Sequence, residues 1–186
     1  MASRTIKLAD LLSRNLVYQE TYTPPRLLPT VKPASLPTPA GITIISCCDQ
    51  RVIPEQFLQL ARGECPVIRN AGGRAADALS TLLVLDSVIP IGTLVIIHHT
   101  DCGLTHITDD AVRARLAAHA PGHEAEIAAM QFGAFREVDV SASVLEDIQF
   151  VRSSPYLRKD MEVRGFVLDI RTGAMSEVEV DAAASA

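Results

Sequence analysis

Residues 94–103 read LVIIHHTDCG, a β-branched apolar run that passes directly into His98-His99-Thr100-Asp101-Cys102-Gly103. A short run of this kind predicts a buried strand over Leu94–His98, with metal-ligand side chains at its carboxyl end. Upstream, Ile42–Ser46 repeats the pattern and runs into Cys47-Cys48-Asp49-Gln50-Arg51. Pro66–Arg69 reads as another strand, ending at Asn70-Ala71-Gly72-Gly73.

Helical segments separate these strands. Pro54–Arg62 fits a short helix, and Ala75–Val88, apolar nearly all round, fits a buried one. Thr108 followed by Asp109 and Asp110 marks a helix start, because acids suit the positive end of the dipole. That helix runs to about His119 and stops at Pro121-Gly122. Residues 124–132 read as helical. Ser141 is expected to cap a helix that carries Val144, Leu145, Ile148 and Val151 on one side. Glu162–Ile170 and Met175–Val180 read as strands joined through Thr172-Gly173. The order predicts an α/β fold, a mainly parallel four-stranded sheet flanked by helices with a C-terminal antiparallel strand or hairpin. In open α/β sheets, ligands sit beyond the carboxyl ends of the strands. Cys47 and the His99–Cys102 turn both fall there.

Ahead of this body, Leu8, Leu11, Leu12 and Leu16 recur at helical spacing over residues 5–17, and Thr5 is placed to cap that helix. Six prolines between Pro24 and Pro39 forbid a helix and favour an extended arm. The expected organisation is a helix and arm over 1–40 packing on a partner subunit, an α/β domain over 41–181 that carries the metal-ligand side chains, and a flexible alanine-rich tail over 182–186.

At 186 residues the chain suits one core. A net charge of −5 gives no basic footprint for nucleic acid. No apolar run approaches the roughly 20 residues that span a bilayer. The N-terminus lacks a secretory pattern, so the expected compartment is the cytoplasm. A mitochondrial presequence is the alternative, disfavoured by Asp10. Cys47, Cys48, Cys65 and Cys102 are accordingly read as thiols or metal ligands rather than disulfides.

Zinc takes sulfur and nitrogen ligands in tetrahedral geometry; structural sites use four protein ligands, catalytic sites three. Cys47, His99 and Cys102 are three strong candidates, with Asp49 a conditional fourth. His98 competes with His99, and spacing favours His99. Cys48, extended beside a ligand, should face the core, and Cys65 the core or a loop. His106, His119 and His123 belong to helical or loop surfaces, and Gly72 and Gly73 serve either a close backbone approach or a turn.

The Cys-x-Asp-x-Arg segment at 47–51 and the His-x-x-Cys-Gly segment at 99–103, with VIRNAGG at 67–73 and RGFVLDIRTG at 164–173, resemble the β-class carbonic anhydrases. The likeness spans about residues 41–178 and points to short members with a His-His-Thr-Asp-Cys-Gly turn. It implies one Zn2+ per chain on Cys47, His99 and Cys102, and an Asp49–Arg51 pair beside the metal. In some members the aspartate closes the site. It also implies a dimer or an assembly of dimers with the site near the interface. The implied activity is a lyase, carbonate dehydratase, turning carbon dioxide into bicarbonate and a proton by zinc-bound hydroxide. Two departures stand out. Gln50 occupies a position where a small residue is commoner, which narrows the pocket. Trp is absent, so the tryptophan-containing bicarbonate regulatory site of some members is not expected.

Two thiolates cancel the formal charge of zinc, so bound water should be less acidic than on a three-histidine site, and activity should rise from pH 6 to 9. Arg51 should hold Asp49 off the metal in a planar fork. The alternatives are carbon disulfide or carbonyl sulfide hydrolysis on the same scaffold, and a zinc-stabilised binding module without turnover. Nucleotide binding and disulfide exchange are weak, because neither G-x-G-x-x-G nor Cys-x-x-Cys is present.

Overall fold

The computed structural model describes residues 6–25, 41–136 and 138–180. Two compact units divide the chain, residues 1–32 and 33–186. The first contains helix α1, Leu8–Glu20. Its described N-terminus is capped by Lys7, whose amide donates to Asp10 Oδ2 at 3.0 Å. Thr5, the expected cap, lies outside the described residues, as does most of the proline segment. None of the residues of α1 is buried, and Leu8, Leu12 and Leu16 are all exposed.

The second unit alternates β1 (Ile42–Cys47), α2 (Pro54–Phe57), β2 (Val67–Asn70), α3 (Ala75–Val88) and β3 (Thr93–His99). It continues through α4 (Asp109–His119), α5 (Glu124–Ala129), α6 (Val140–Ser153), β4 (Glu162–Leu168) and β5 (Met175–Glu177). The sheet order is β2-β1-β3-β4-β5. The first four strands are parallel, and β5 returns antiparallel to β4. Gly173, at φ 75°, turns that hairpin, a conformation glycine adopts without Cβ strain.

The core divides by strand face. Ile45, Leu94, Ile96 and Val163 pack under α3 and α6 with Leu82, Val144, Ile148 and Val151. The other face, Ile44, Ile97 and Leu168, packs on Val52, Phe57 and Leu58. Burying each such side chain contributes about 1.5–3 kcal/mol. Gly165 lets α6 approach β4, since a Cβ there would lie 2.3 Å from Val144.

Three local expectations are corrected. The helix at Pro54 stops at Phe57 rather than Arg62, because the chain turns left-handed at Gln59, φ 53°. The cap of α6 is Asp139, not Ser141: its carboxylate accepts from the Ser141 amide at 3.3 Å. Helix α5 ends at Ala129, and residues 130–136 cross as a strap. The strap is fixed by Asp109, whose carboxylate accepts from the amides of Phe132 (2.9 Å) and Ala134 (3.0 Å).

Candidate metal centre

Strand β1 ends at Cys47, and β3 ends at His99 two strand positions from its neighbour's last pair, so the parallel register brings both termini to one edge. The turn after β3 is held from outside. The Thr100 amide donates to Leu168 O, and Thr100 Oγ1 accepts from the Ile170 amide, each at 3.0 Å. Asp101 takes a left-handed conformation, φ 56°, which swings Cys102 back under the strand ends. Cys47, His99 and Cys102 are all buried, and their ligand atoms lie within 4.8 Å of one another. Among the described residues no other group of His, Cys, Asp or Glu converges in this way.

The atoms of this cluster are prepared for a cation. His99 Nδ1 faces Thr100 O at 2.9 Å and so carries the proton, which leaves Nε2 as the lone-pair nitrogen. That Nε2 is buried and has no hydrogen-bond partner. An orphaned buried acceptor costs about 1–3 kcal/mol, and a metal ion between two sulfurs would relieve it. The two sulfurs are 3.9 Å apart. The Cys102 S–H, foremost, brings the Cys47 thiol down to about 4 against its desolvation, aided by His99 and by the Asp49 and Gly72 amides. Cys102 is pushed up by its neighbour Cys47 and by burial. Burial opposes protonation of His99, but the Cys47 sulfur, the Thr100 carbonyl and Asp49 together raise the imidazole. Two sulfurs and an imidazole contending for one proton form a donor set suited to zinc.

Asp49 stands beside this cluster but outside it. Arg51 Nε donates to Asp49 Oδ1 at 3.0 Å and Nη2 to Oδ2 at 2.7 Å, a two-pronged fork. The Arg51 side chain, with its amide, holds the Asp49 carboxyl down to about 2. The remaining prongs of Arg51 reach Asp101, Nη1 to Oδ2 at 2.8 Å and Nη2 to the carbonyl at 2.9 Å. Arg51 therefore ties the two ligand-bearing segments together. Arg69 fastens the first segment from behind, donating to the carbonyls of Cys47, Asp49 and Val52.

Several participants escaped the sequence reading. Asp101 has no role in the sequence pattern, yet it anchors Arg51 through its carboxylate and its carbonyl. Phe135, on the strap, packs with Leu104 and Val140 against Cys47 and Cys102, and no local signal marks it. Cys48, expected in the core, is exposed, because β1 ends at Cys47 and the chain leaves the sheet at the next residue. His98 turns away from the cluster to Ser143 and Asp147 on α6.

A family model described as carbonic anhydrase matches residues 42–175. The chain belongs to the β-class carbonic anhydrase family. Among its relatives, beta-carbonic anhydrase 1 of Mycobacterium tuberculosis is 28% identical over 170 residues, covering 91% of this chain and 96% of the relative. A carbon disulfide hydrolase of Acidithiobacillus thiooxidans is 26% identical over 153 residues, covering 74% and 77%. The crystal structure of a carbonic anhydrase from Streptococcus mutans superposes with a TM-score of 0.76 at 26% identity, covering 94% of this chain and 99% of that one. The matched span encloses both ligand segments and the four parallel strands β1–β4, and ends at the first residue of β5.

Proposed function

We propose that this member of the family holds one zinc ion on Cys47, His99 and Cys102 and hydrates carbon dioxide reversibly to bicarbonate and a proton. The observation that carries the reading is the orphaned His99 Nε2 facing two sulfurs, with Asp49 forked to Arg51 outside the cluster. A zinc ion there would supply Lewis acidity and draw a nucleophile from water near neutral pH. The chain's own groups do the rest. Asp49, kept ionised by Arg51, presents carboxylate oxygens that accept a hydrogen bond from attacking water and orient it. Arg51 bridges Asp49 and Asp101 and so fixes the spacing of the two ligand segments. Leu104, Phe135 and Val140 wall the sulfurs in apolar surface, which excludes bulk water from that side.

Hydrolysis of carbon disulfide or carbonyl sulfide is the second reading, supported by the relatives named carbon disulfide hydrolase. The decisive experiment measures zinc per chain, then follows proton release from carbon dioxide in stopped flow at pH 7 and 8.5. Hydrogen sulfide release from carbon disulfide is followed on the same sample. Turnover of carbon dioxide alone supports the first reading, and sulfide release alone the second. Zinc without either activity would leave the binding module.

The same reading extends to assembly. Exposed Leu8, Leu12 and Leu16 on α1, and an apolar groove along Ile42, Ile44, Leu58, Val95 and Phe166, support a homodimer or a higher assembly of dimers. In it, residues 1–40 form an arm on the partner subunit and residues 41–181 the catalytic domain. No helix among the described residues is long and apolar enough to cross a membrane, and a cytoplasmic setting agrees with reduced Cys47 and Cys102.

A further inference from the structure

Behind the metal centre lies a second polar cluster that the proposed reaction does not use. His98, Ser143 and Asp147 are buried, and Arg74 is largely so. Ser143 Oγ lies 2.7 Å from both Val140 O and His98 Nδ1. His98 Nε2 faces two acceptors, Asp147 Oδ2 at 3.0 Å and Gly73 O at 3.3 Å, so it donates. Asp147 Oδ2 also accepts from the Ala75 amide at 3.1 Å, and Oδ1 lies 3.3 Å from Arg74 Nη2. Such a cluster is expensive to bury and easily replaced by apolar packing. Its placement gives the reason to keep it.

Three of the cluster's contacts reach the Asn70–Arg74 turn or the strap: His98 to Gly73 O, Asp147 to Arg74, and the His98 ring to Phe135. Gly72 and Gly73 are both left-handed, φ 72°. A Cβ on Gly73 would stand 3.0 Å from Cys47 N and 3.0 Å from Ser46 C, so this turn presses on the backbone of a ligand. Asn70 braces it, its carbonyl accepting from the Cys48 amide and its side chain donating to Arg74 O, each at 2.8 Å. Phe135, which packs on Cys47 and Cys102, stacks on the His98 ring at 5.7 Å and lies under the Arg74 guanidinium.

We propose that Asp147 and His98 are positioning residues: through Gly73 O and Phe135 they fix the turn against Cys47, and so set where that sulfur meets the metal ion. This rests on the zinc reading above and extends it to helix α6. The test uses purified full-length chain and zinc itself. Zinc affinity is measured by competition with a chromophoric chelator, and the sulfur-to-cobalt charge-transfer band is recorded after cobalt substitution. Asp147→Asn keeps the shape and the Ala75 contact but removes the charge. It should weaken zinc binding about 10- to 100-fold and shift the band. Ser143→Ala should move both in the same direction by less. Ile148→Val, on the same helix but outside the cluster, should lower the thermal midpoint and leave both readouts unmoved. If Asp147→Asn and Ser143→Ala bind zinc within about twofold of wild type with an unshifted band, the coupling is wrong. It is equally wrong if Ile148→Val loses as much affinity for the same loss in thermal midpoint. A wild-type chain without stoichiometric zinc would instead sink the metal reading, so the two failures are distinguishable.

Discussion

His98 and His99 are neighbours on one strand, equally buried, and opposite in their accounts. The ring of His98 spends both nitrogens on Ser143, Asp147 and Gly73. The ring of His99 spends Nδ1 on Thr100 and leaves Nε2 with nothing. Strand alternation sends them to opposite faces, but alternation alone does not say which is structural. The difference in satisfaction does. A buried polar atom normally finds a partner, so the histidine left with an orphan nitrogen is the one arranged for a group from outside the chain.

The sharpest way to break this contrast is to remove a ligand on the orphan side. His99→Ala and Cys102→Ser should each bring zinc below about one tenth per chain, by metal analysis, with all measurable turnover lost alongside. Retained stoichiometric zinc in either variant would mean the cluster is not the site. Next comes stability in the metal-free protein. His98→Ala and His99→Ala remove the same volume, so their difference in urea unfolding reports the polar network. His98→Ala should cost about 3 kcal/mol more, because it strands Asp147 and Ser143. Equal costs would erase the distinction drawn here. Third, Arg51→Ala releases Asp49 and unties Asp101. Turnover should fall about 100-fold with zinc retained, since misplacing an orienting group by an ångström has that effect. Parallel loss of zinc would show that the bridge to Asp101, more than the hold on Asp49, is what the site depends on.

The smallest effect concerns the strap that bears Phe135. Burial works against ionised Asp109, but the Phe132 and Ala134 amides and Arg113 more than compensate, so its carboxyl titrates below the ordinary range. A lowered folded value means stability present above the unfolded value, near 4, and lost as pH falls through the folded one. Asp109→Asn should therefore cost about 1 kcal/mol at neutral pH and flatten the thermal midpoint's fall below pH 4. An unchanged acid limb would exclude Asp109 as the clasp.

Much of this was legible in the sequence because strand composition and metal chemistry are local signals. Ile42–Ser46 and Leu94–His98 announce buried parallel strands, and their carboxyl ends carry the sulfurs and the imidazole. The Asp49–Arg51 pair came through the family resemblance, and the fork between the two side chains agrees with it. What could not be read depends on contacts across long separations. Asp147 lies 49 residues beyond His98 and sits in a helix whose spacing spoke only of Val144, Ile148 and Val151. Ser143 carries no signal in that spacing. Asp101 reaches Arg51 across 50 residues, and although Asp enters the left-handed region more readily than most residues, no neighbouring residue marks that it does so here. Gln59 ended α2 for the same reason, since glutamine gives no warning of a positive φ.

The turn at Asp101 also bears on how this chain tolerates change. A non-glycine residue held left-handed carries about 1 kcal/mol of backbone strain or more, and its carboxylate is the far anchor of Arg51. Glycine at 101 would relax the main chain and raise the melting point while cutting that anchor. A screen for heat resistance alone would thus favour a sturdier protein whose arginine has lost one of its two carboxylates and keeps only the carbonyl at 101. Selection on rate would restore the aspartate, so this single position sets robustness against competence.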